Sequence, residues 1–513
     1  MTATARVAWR AALAGVGALL VVGVTHDLGY LIREPLWGDE AWIVVTRLFP
    51  IADLPALTSS APIGWNLLVR AFSELFGDTS GRILVQLFNA AAVAAAFYVG
   101  RWNPLTRVVP RDLAGAATAL AIAFAPFTLV RLDLKHYTSD AFFTLLLLAL
   151  LFRILRDRTS RALPAITAVS AVGLLFSFAV LFVAVGVFAA LLLQALLDRD
   201  RRRAWTVAAH GAVAGVGIGA LYLAVYARGD NPALREFWGP QFPVSVIDLP
   251  RFTIARLLLA ADWFLFGSAV IACLLALAGL VLLVLDRKFA AVTPPVVAAL
   301  ALAVLGLLHR YPYLDARTST FFIVLLTVYA ALALLRVGEL GAALVRRRRP
   351  ESGAVRRIAI VAAAVVATGL VAAGLPNVRA HSLPGYDTQH QAEYVLDHRG
   401  PDDLVIFNEL ASYQLAFDWD ADEPSWCPDP EAWTGFYICY PEATDIRGFD
   451  ALDDAYALID AHLAEHPGSR VWIIRSNVFI PYARMERDLF ARYEYQVIDL
   501  PYQPVGVVSG VLP

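Results

Sequence analysis

Apolar runs long enough to cross a bilayer recur along this chain, and no other feature restricts its fold so severely. They lie at residues 7–26, 82–100, 113–130, 140–155, 204–226, 262–285, 289–308, 318–335 and 357–375. The run at 162–197 is too long for one crossing at about 1.5 Å per residue, so two short helices turning near Phe176–Phe178 suit it better. That makes about eleven spans. Hydrophobic residues form 59% of the 513, well above the half usual for a soluble domain. The expected fold class is an α-helical polytopic membrane protein with a small soluble part. A net charge of −2 offers no general basic footprint for nucleic acid. The first run follows Arg6 and Arg10 without a small-residue cleavage site, which predicts a retained anchor.

The arginines orient the chain. Arg101/Arg107/Arg111, Arg153/Arg156/Arg158/Arg161, Arg199/Arg201/Arg202/Arg203, Arg287/Lys288 and Arg346–Arg349 fall in alternate loops. The positive-inside rule puts those loops in the cytoplasm of a plasma (inner) membrane. An odd number of spans then leaves the N-terminus inside and residues 376–513 outside. These divide the chain into a membrane module, 1–375, and a C-terminal extracytoplasmic domain, 376–513. In the latter, short alternating runs at 403–407, 470–474 and 495–500 read as strands, and 393–397, 412–417 and 455–465 as helices. Such an order predicts a small α/β domain without a phosphate-binding glycine loop. Cys427 and Cys439, in an oxidising compartment, are a disulfide candidate; Cys273 reads as a small apolar residue in a span.

The first outer loop, about 27–81, is too long to be a mere connector. Residues 62–76 read as an amphipathic helix, with Ser59/Ser60 as cap candidates, Pro62 in the first turn and Gly77 as the stop. Leu67, Leu68, Ala71, Phe72 and Leu75 share one face, and Asn66, Arg70, Ser73 and Glu74 the other. A helix of this kind lies in the membrane interface or packs on the bundle.

The same loop carries two adjacent carboxylates, Asp39 and Glu40, between Trp37 and Trp42. Neighbouring helical residues diverge by about 100°, so one acid can meet a substrate while the other braces the loop. A solvated helix start is the plainer alternative. The span middles hold almost no charge apart from His210, which weighs against a proton-coupled transporter. Ionisable residues gather instead at two further outer helix ends: Asp133, Lys135, Tyr137 and Asp140, then His309, Arg310, Tyr311 and Arg317. Each cation could simply snorkel to lipid headgroups. Together, acids and cations at the mouth of a helical bundle suit an alcohol acceptor beside a phosphate leaving group.

These residues resemble the GT-C superfamily of polytopic glycosyltransferases, in the branch of protein O-mannosyltransferases and lipid A aminoarabinose transferases. Asp39-Glu40 is similar to the family's acidic motif. Asp133-x-Lys135-x-Tyr137-Thr138-x-Asp140 resembles an E-x-K-x-Y-S-x-D motif with Asp for Glu. Tyr311-Pro312 with Arg317 resembles Y-P-F-x-x-R with one residue of added spacing, and Ala61-Pro62-Ile63-Gly64 resembles A-P-P-G-F with one Pro lost. The resemblance implies an inverting transfer of a sugar from a polyprenyl-phosphate donor to an extracytoplasmic hydroxyl on a glycan, lipid or protein. Asp39 would be the general base and Glu40 its helper. Lys135 and Arg317, with Arg310 and His309, would hold the donor phosphate, supported by Asp133, Tyr137, Asp140 and Tyr311. A divalent cation could sit beside the paired carboxylates, although no ligand set compels one. The competing readings are a phosphoryl or acyl transferase acting on a lipid carrier, and a non-catalytic carrier-binding or flippase-like envelope protein.

Overall fold

With no water to satisfy its backbone in lipid, an apolar run must close its hydrogen bonds on itself, and these runs are helices. The computed structural model describes residues 3–57, 61–125, 134–157, 161–229, 231–260, 263, 267–348, 352–380, 388–429, 431, 434–449, 451–475, 482–501 and 503–513. The apolar helices are Ala3–Thr25, Gly81–Trp102, Arg111–Ala123, Tyr137–Arg156, Leu163–Gly173, Val180–Leu197, Arg201–Ala224, Ala269–Leu285, Phe289–Leu307, Thr320–Arg348 and Ser352–Gly374. Among the described residues, seven helices are long and apolar enough to cross a membrane. Shorter apolar helices, such as Leu163–Gly173 and Ala269–Leu285, accompany them. Large apolar side chains face outward along them, for example Leu20, Val216 and Leu274. The protein is therefore membrane-embedded and mostly helical.

Close helix approach depends on small residues, as lipid supplies no hydrophobic drive between helices. At Gly279 a Cβ would fall 2.6 Å from the Tyr329 carbonyl oxygen. The arginine-rich end is tied by charge. Glu339 accepts the backbone N–H groups of Arg107 (2.8 Å), Val108 (2.5 Å) and Val109 (2.7 Å), and Arg336 donates to it at 2.8 Å. His210, the charge-bearing exception in the spans, bonds Thr167 at 2.8 Å. Cys273 is half-buried, not enclosed in the bundle.

The long run at 162–197 breaks as expected, into Leu163–Gly173 and Val180–Leu197. The amphipathic helix is Ile63–Phe76, ended by Gly77 at φ 93°, where glycine alone is unstrained. Pro62 precedes its first turn, and Ser59 and Ser60 lie outside the described residues. Its buried face mixes polar and apolar residues. Trp65, Asn66, Val69 and Ser73 are buried against the bundle, while Leu67 and Leu75 are exposed.

Among the described residues, the strands are confined to the C-terminal part. A five-stranded sheet has the order β4-β1-β5-β7-β6. Its members are β1 (Leu404–Asn408), β4 (Ile446–Phe449), β5 (Val471–Ile474), β6 (Tyr493–Ile498) and β7 (Val505–Val511). Strand β1 is parallel to β4 and β5, and β7 runs antiparallel to β5 and β6. All five β1 residues are buried, as expected of a central strand with both faces covered. Helices Gln389–His398, Ser412–Asp418, Leu452–Glu465 and Tyr482–Arg492 accompany it. A separate hairpin joins β2 (Ser425–Pro428) to β3 (Phe436–Cys439), and a disulfide links Cys427 to Cys439 with Cα atoms 6.0 Å apart.

Candidate functional site

The helix Gly38–Val44 sets the two carboxylates in its first turn, and they point apart. Asp39 remains partly open and accepts a hydrogen bond from the Arg317 guanidinium at 2.5 Å. Glu40 is fully enclosed, as is its partner Arg82. Arg82 Nε donates to Glu40 Oε1 at 2.9 Å and Nη2 to Oε2, and its other donors reach the carbonyls of Leu31 (2.6 Å), Glu34 (2.6 Å) and Pro35 (2.8 Å). Glu40 also accepts the backbone N–H of Leu134 (3.1 Å) and of Trp37 (3.3 Å). A buried ion pair is tolerated when its other hydrogen-bonding capacity is met, and here it is. The pair fastens the Leu31–Trp37 segment, the helix bearing Asp39 and the segment bearing Lys135 to one another. Arg82 escaped the sequence reading because a lone arginine opening an apolar helix looks like a headgroup anchor.

Lys135 is buried, and its ammonium lies over the Trp42 ring at 4.5 Å. Arg317 projects from a turn that Asp315 organises by accepting the backbone N–H groups of Arg317 (3.1 Å) and Thr318 (3.0 Å). Its guanidinium lies 5.6 Å from the rings of both Trp37 and Tyr137. Aromatic faces hold cations without consuming their hydrogen-bond donors. Burial works to raise the Asp39 carboxyl, but the charges of Arg317 and then Lys135 outweigh it and leave it below the usual carboxylate range. Three loops far apart in sequence thus deliver an acid and two cations to one place.

Beneath this group, His136 sits between Tyr137 and Phe178, its Nε2 3.5 Å from Asp140. Burial, aided by Lys135, pushes its imidazole down to about 3, so it is neutral near pH 7. Asp140 accepts from Ser177 Oγ (2.7 Å) and Ala179 N (3.3 Å), pinning the break between the two short helices. Tyr311 donates to the Thr318 carbonyl at 2.7 Å and packs on Phe182. His309 instead lies flat on Phe242, with ring centroids 4.9 Å apart, and Arg310 is exposed. Asp133 lies outside the described residues. Among the described residues, no cluster of three His, Cys, Asp or Glu side chains is placed to hold a metal ion. The candidate carboxylate pair, turned apart onto separate arginines, does not converge on a common cation.

The C-terminal domain reaches this site. Gln414 Nε2 donates to the Leu36 carbonyl at 2.5 Å, and Tyr413 stacks on Trp42 at 6.3 Å. One apolar cluster takes in Leu36, Trp42, Trp65 and Leu134 with Tyr413, Phe436 and Ile438. Nothing in the sequence pointed to Tyr413 or Gln414.

No protein-family model matches the chain, and no curated protein matches it by sequence. Solved structures do. ArnT from Cupriavidus metallidurans in the apo state is similar at a TM-score of 0.51 with 15% identity, over 98% of this chain and 98% of that one. The Archaeoglobus fulgidus oligosaccharyltransferase in the apo form is similar at 0.50 with 13% identity, over 80% of this chain and 63% of that one. The chain therefore shares its overall fold with these two structures.

Proposed function

We propose that this protein is an integral-membrane glycosyltransferase that moves a sugar from a polyprenyl-phosphate donor to an extracytoplasmic hydroxyl of a glycan, lipid or protein. The observation that carries this reading is the meeting of Asp39 with Arg317 and Lys135 at one mouth of a GT-C bundle. Asp39 is the general base: it takes the acceptor's proton as the hydroxyl oxygen attacks the anomeric carbon. The bond from that carbon to the phosphate oxygen breaks, and its electron pair leaves with the polyprenyl phosphate. Attack opposite the leaving group inverts the centre. Arg317, which can present two donors at once, and Lys135, a point charge, stabilise the departing phosphate. Glu40 acts through Arg82 by holding the Asp39 helix in place. Residues 1–375 form the catalytic membrane module, with the N-terminus in the cytoplasm of a plasma (inner) membrane, and residues 376–513 roof the site outside.

The fold shared with an aminoarabinose transferase and an oligosaccharyltransferase supports a lipid-linked sugar donor. A deletion strain analysed by mass spectrometry tests the reading. One envelope glycan should disappear, return with the wild-type gene and stay absent with Asp39→Asn. An unchanged glycan profile in the deletion strain would refute it.

A further inference from the structure

Arg317 carries two assignments that draw on the same guanidinium. Its guanidinium holds the Asp39 carboxylate at 2.5 Å, and the proposed reaction asks the same group to hold the donor phosphate. The Trp37 and Tyr137 rings lie 5.6 Å from the guanidinium, and an anion that hydrogen-bonds to it uses the N–H edge that Asp39 engages through Nη2. Lys135, buried beside Asp39 and over Trp42, lies within reach of the same negative charge. Asp315 does not compete there: Oδ2 is engaged by the backbone of Arg317 and Thr318, and Oδ1 faces Arg256 at 3.6 Å.

From this geometry we infer that Asp39 and the donor phosphate exchange on Arg317, so that donor loading is what releases the base. The inference rests on the donor-phosphate assignment above. In the resting site Asp39 is tied to Arg317 and is a weak proton acceptor. An arriving phosphodiester takes the Arg317 donors, and Asp39 swings free to meet the acceptor hydroxyl. Charge stays matched through the turnover. Before transfer, two cations face one carboxylate and one phosphodiester anion. Afterwards Asp39 has gained the acceptor's proton and is neutral, while the polyprenyl phosphate has gained the electron pair of the broken bond and carries the second negative charge. The binding order follows: a carboxylate still paired with Arg317 is the weaker proton acceptor, so the donor loads before the acceptor reacts.

Competition makes a sign prediction that a purely catalytic Asp39 would not. Asp39→Asn removes the resident anion, so a polyprenyl monophosphate should bind this variant more tightly than wild type. Coupling between linked sites commonly runs from about 5-fold upward, and that is the gain expected here. Binding would be measured on the full-length protein in lipid nanodiscs, for wild type, Asp39→Asn, Asp39→Ala, Lys135→Ala and Arg317→Ala. Tighter binding by both Asp39 variants supports the exchange. Unchanged or weaker binding by the folded Asp39 variants overturns it, since the phosphate would then sit elsewhere on Arg317 or need Asp39 as a buttress. The two cation variants separate this failure from a deeper one. If Lys135→Ala and Arg317→Ala weaken binding while the Asp39 variants do not tighten it, the exchange alone is wrong. If neither cation variant weakens binding, the donor-phosphate assignment fails and takes the exchange with it.

Discussion

Two neighbouring acids have opposite fates here, and the difference is burial. Glu40 and Arg82 are both without solvent exposure, so Glu40→Gln leaves a guanidinium buried without its counter-charge. Removing one partner of such a pair costs about 3–5 kcal/mol. Glu40→Gln should therefore lower the melting temperature sharply, while the protein that does fold loses far less turnover than Asp39→Asn. A stable variant with collapsed turnover would instead put Glu40 on the substrate. His136 gives a second test at this scale. Its imidazole is held near 3 in the folded protein against 6.5 ordinarily, so below about 6.5 the unfolded chain binds a proton that the folded one does not. Its contribution to stability therefore falls as pH drops from about 6.5 towards 3. His136→Asn should flatten the pH dependence of the melting temperature over that window; an unchanged slope would mean that His136 does not titrate in this way.

At the scale of elements, hydropathy made the helical layout legible. Length and apolar content decide which segments can cross a bilayer, and the break near Phe176–Phe178 follows from a run too long for one crossing. Periodicity also located the helix Ile63–Phe76, but it could not tell which face is buried. In water the apolar face turns inward; beside a membrane Leu67 and Leu75 can face outward while Asn66 and Ser73 pack inside. The short strands β2, β3 and β4 were not legible, because four residues containing Pro, Cys or Gly carry too little alternation. Strand β7 hid behind Gly506 and Gly510, which read as turn residues. The same helix Ile63–Phe76 seats Gly64 on the broken helix: a Cβ there would come 2.6 Å from the Leu175 carbonyl oxygen, and Trp65 donates to the Leu134 carbonyl at 3.0 Å. Overpacking at such a contact costs roughly 1–3 kcal/mol. Gly64→Ala should lower the melting temperature accordingly, and no change would mean that the outer loop docks loosely.

Over the whole molecule, site chemistry and the C-terminal domain share one end, while the Glu339–Arg336 network holds the arginine-rich other end. Asp39, Lys135 and Arg317 could be picked out one by one as ionisable residues at outer helix ends. Topology already set them on one face and the resemblance assigned them to one site; the direct pairing of Arg317 with Asp39 was not legible, because residues some 278 positions apart meet only through the fold. Arg82, Tyr413 and Gln414 stayed invisible for a related reason: their roles rest on partners distant in sequence, with no motif around them. The proposed orientation predicts that a cysteine at Gly468 reacts with an impermeant thiol reagent in intact cells and one at Asp200 does not. Labelling at Asp200 would reverse the orientation and put Asp39 on the wrong side. The most direct test of the central claim is the transfer rate of purified Asp39→Asn with saturating polyprenyl-phosphate sugar and acceptor. Losing a general base costs about 10²–10⁴-fold, and a fall of that size, with donor binding retained, is the predicted result. A variant that keeps more than about a tenth of the wild-type rate would contradict the assignment of Asp39 as the base.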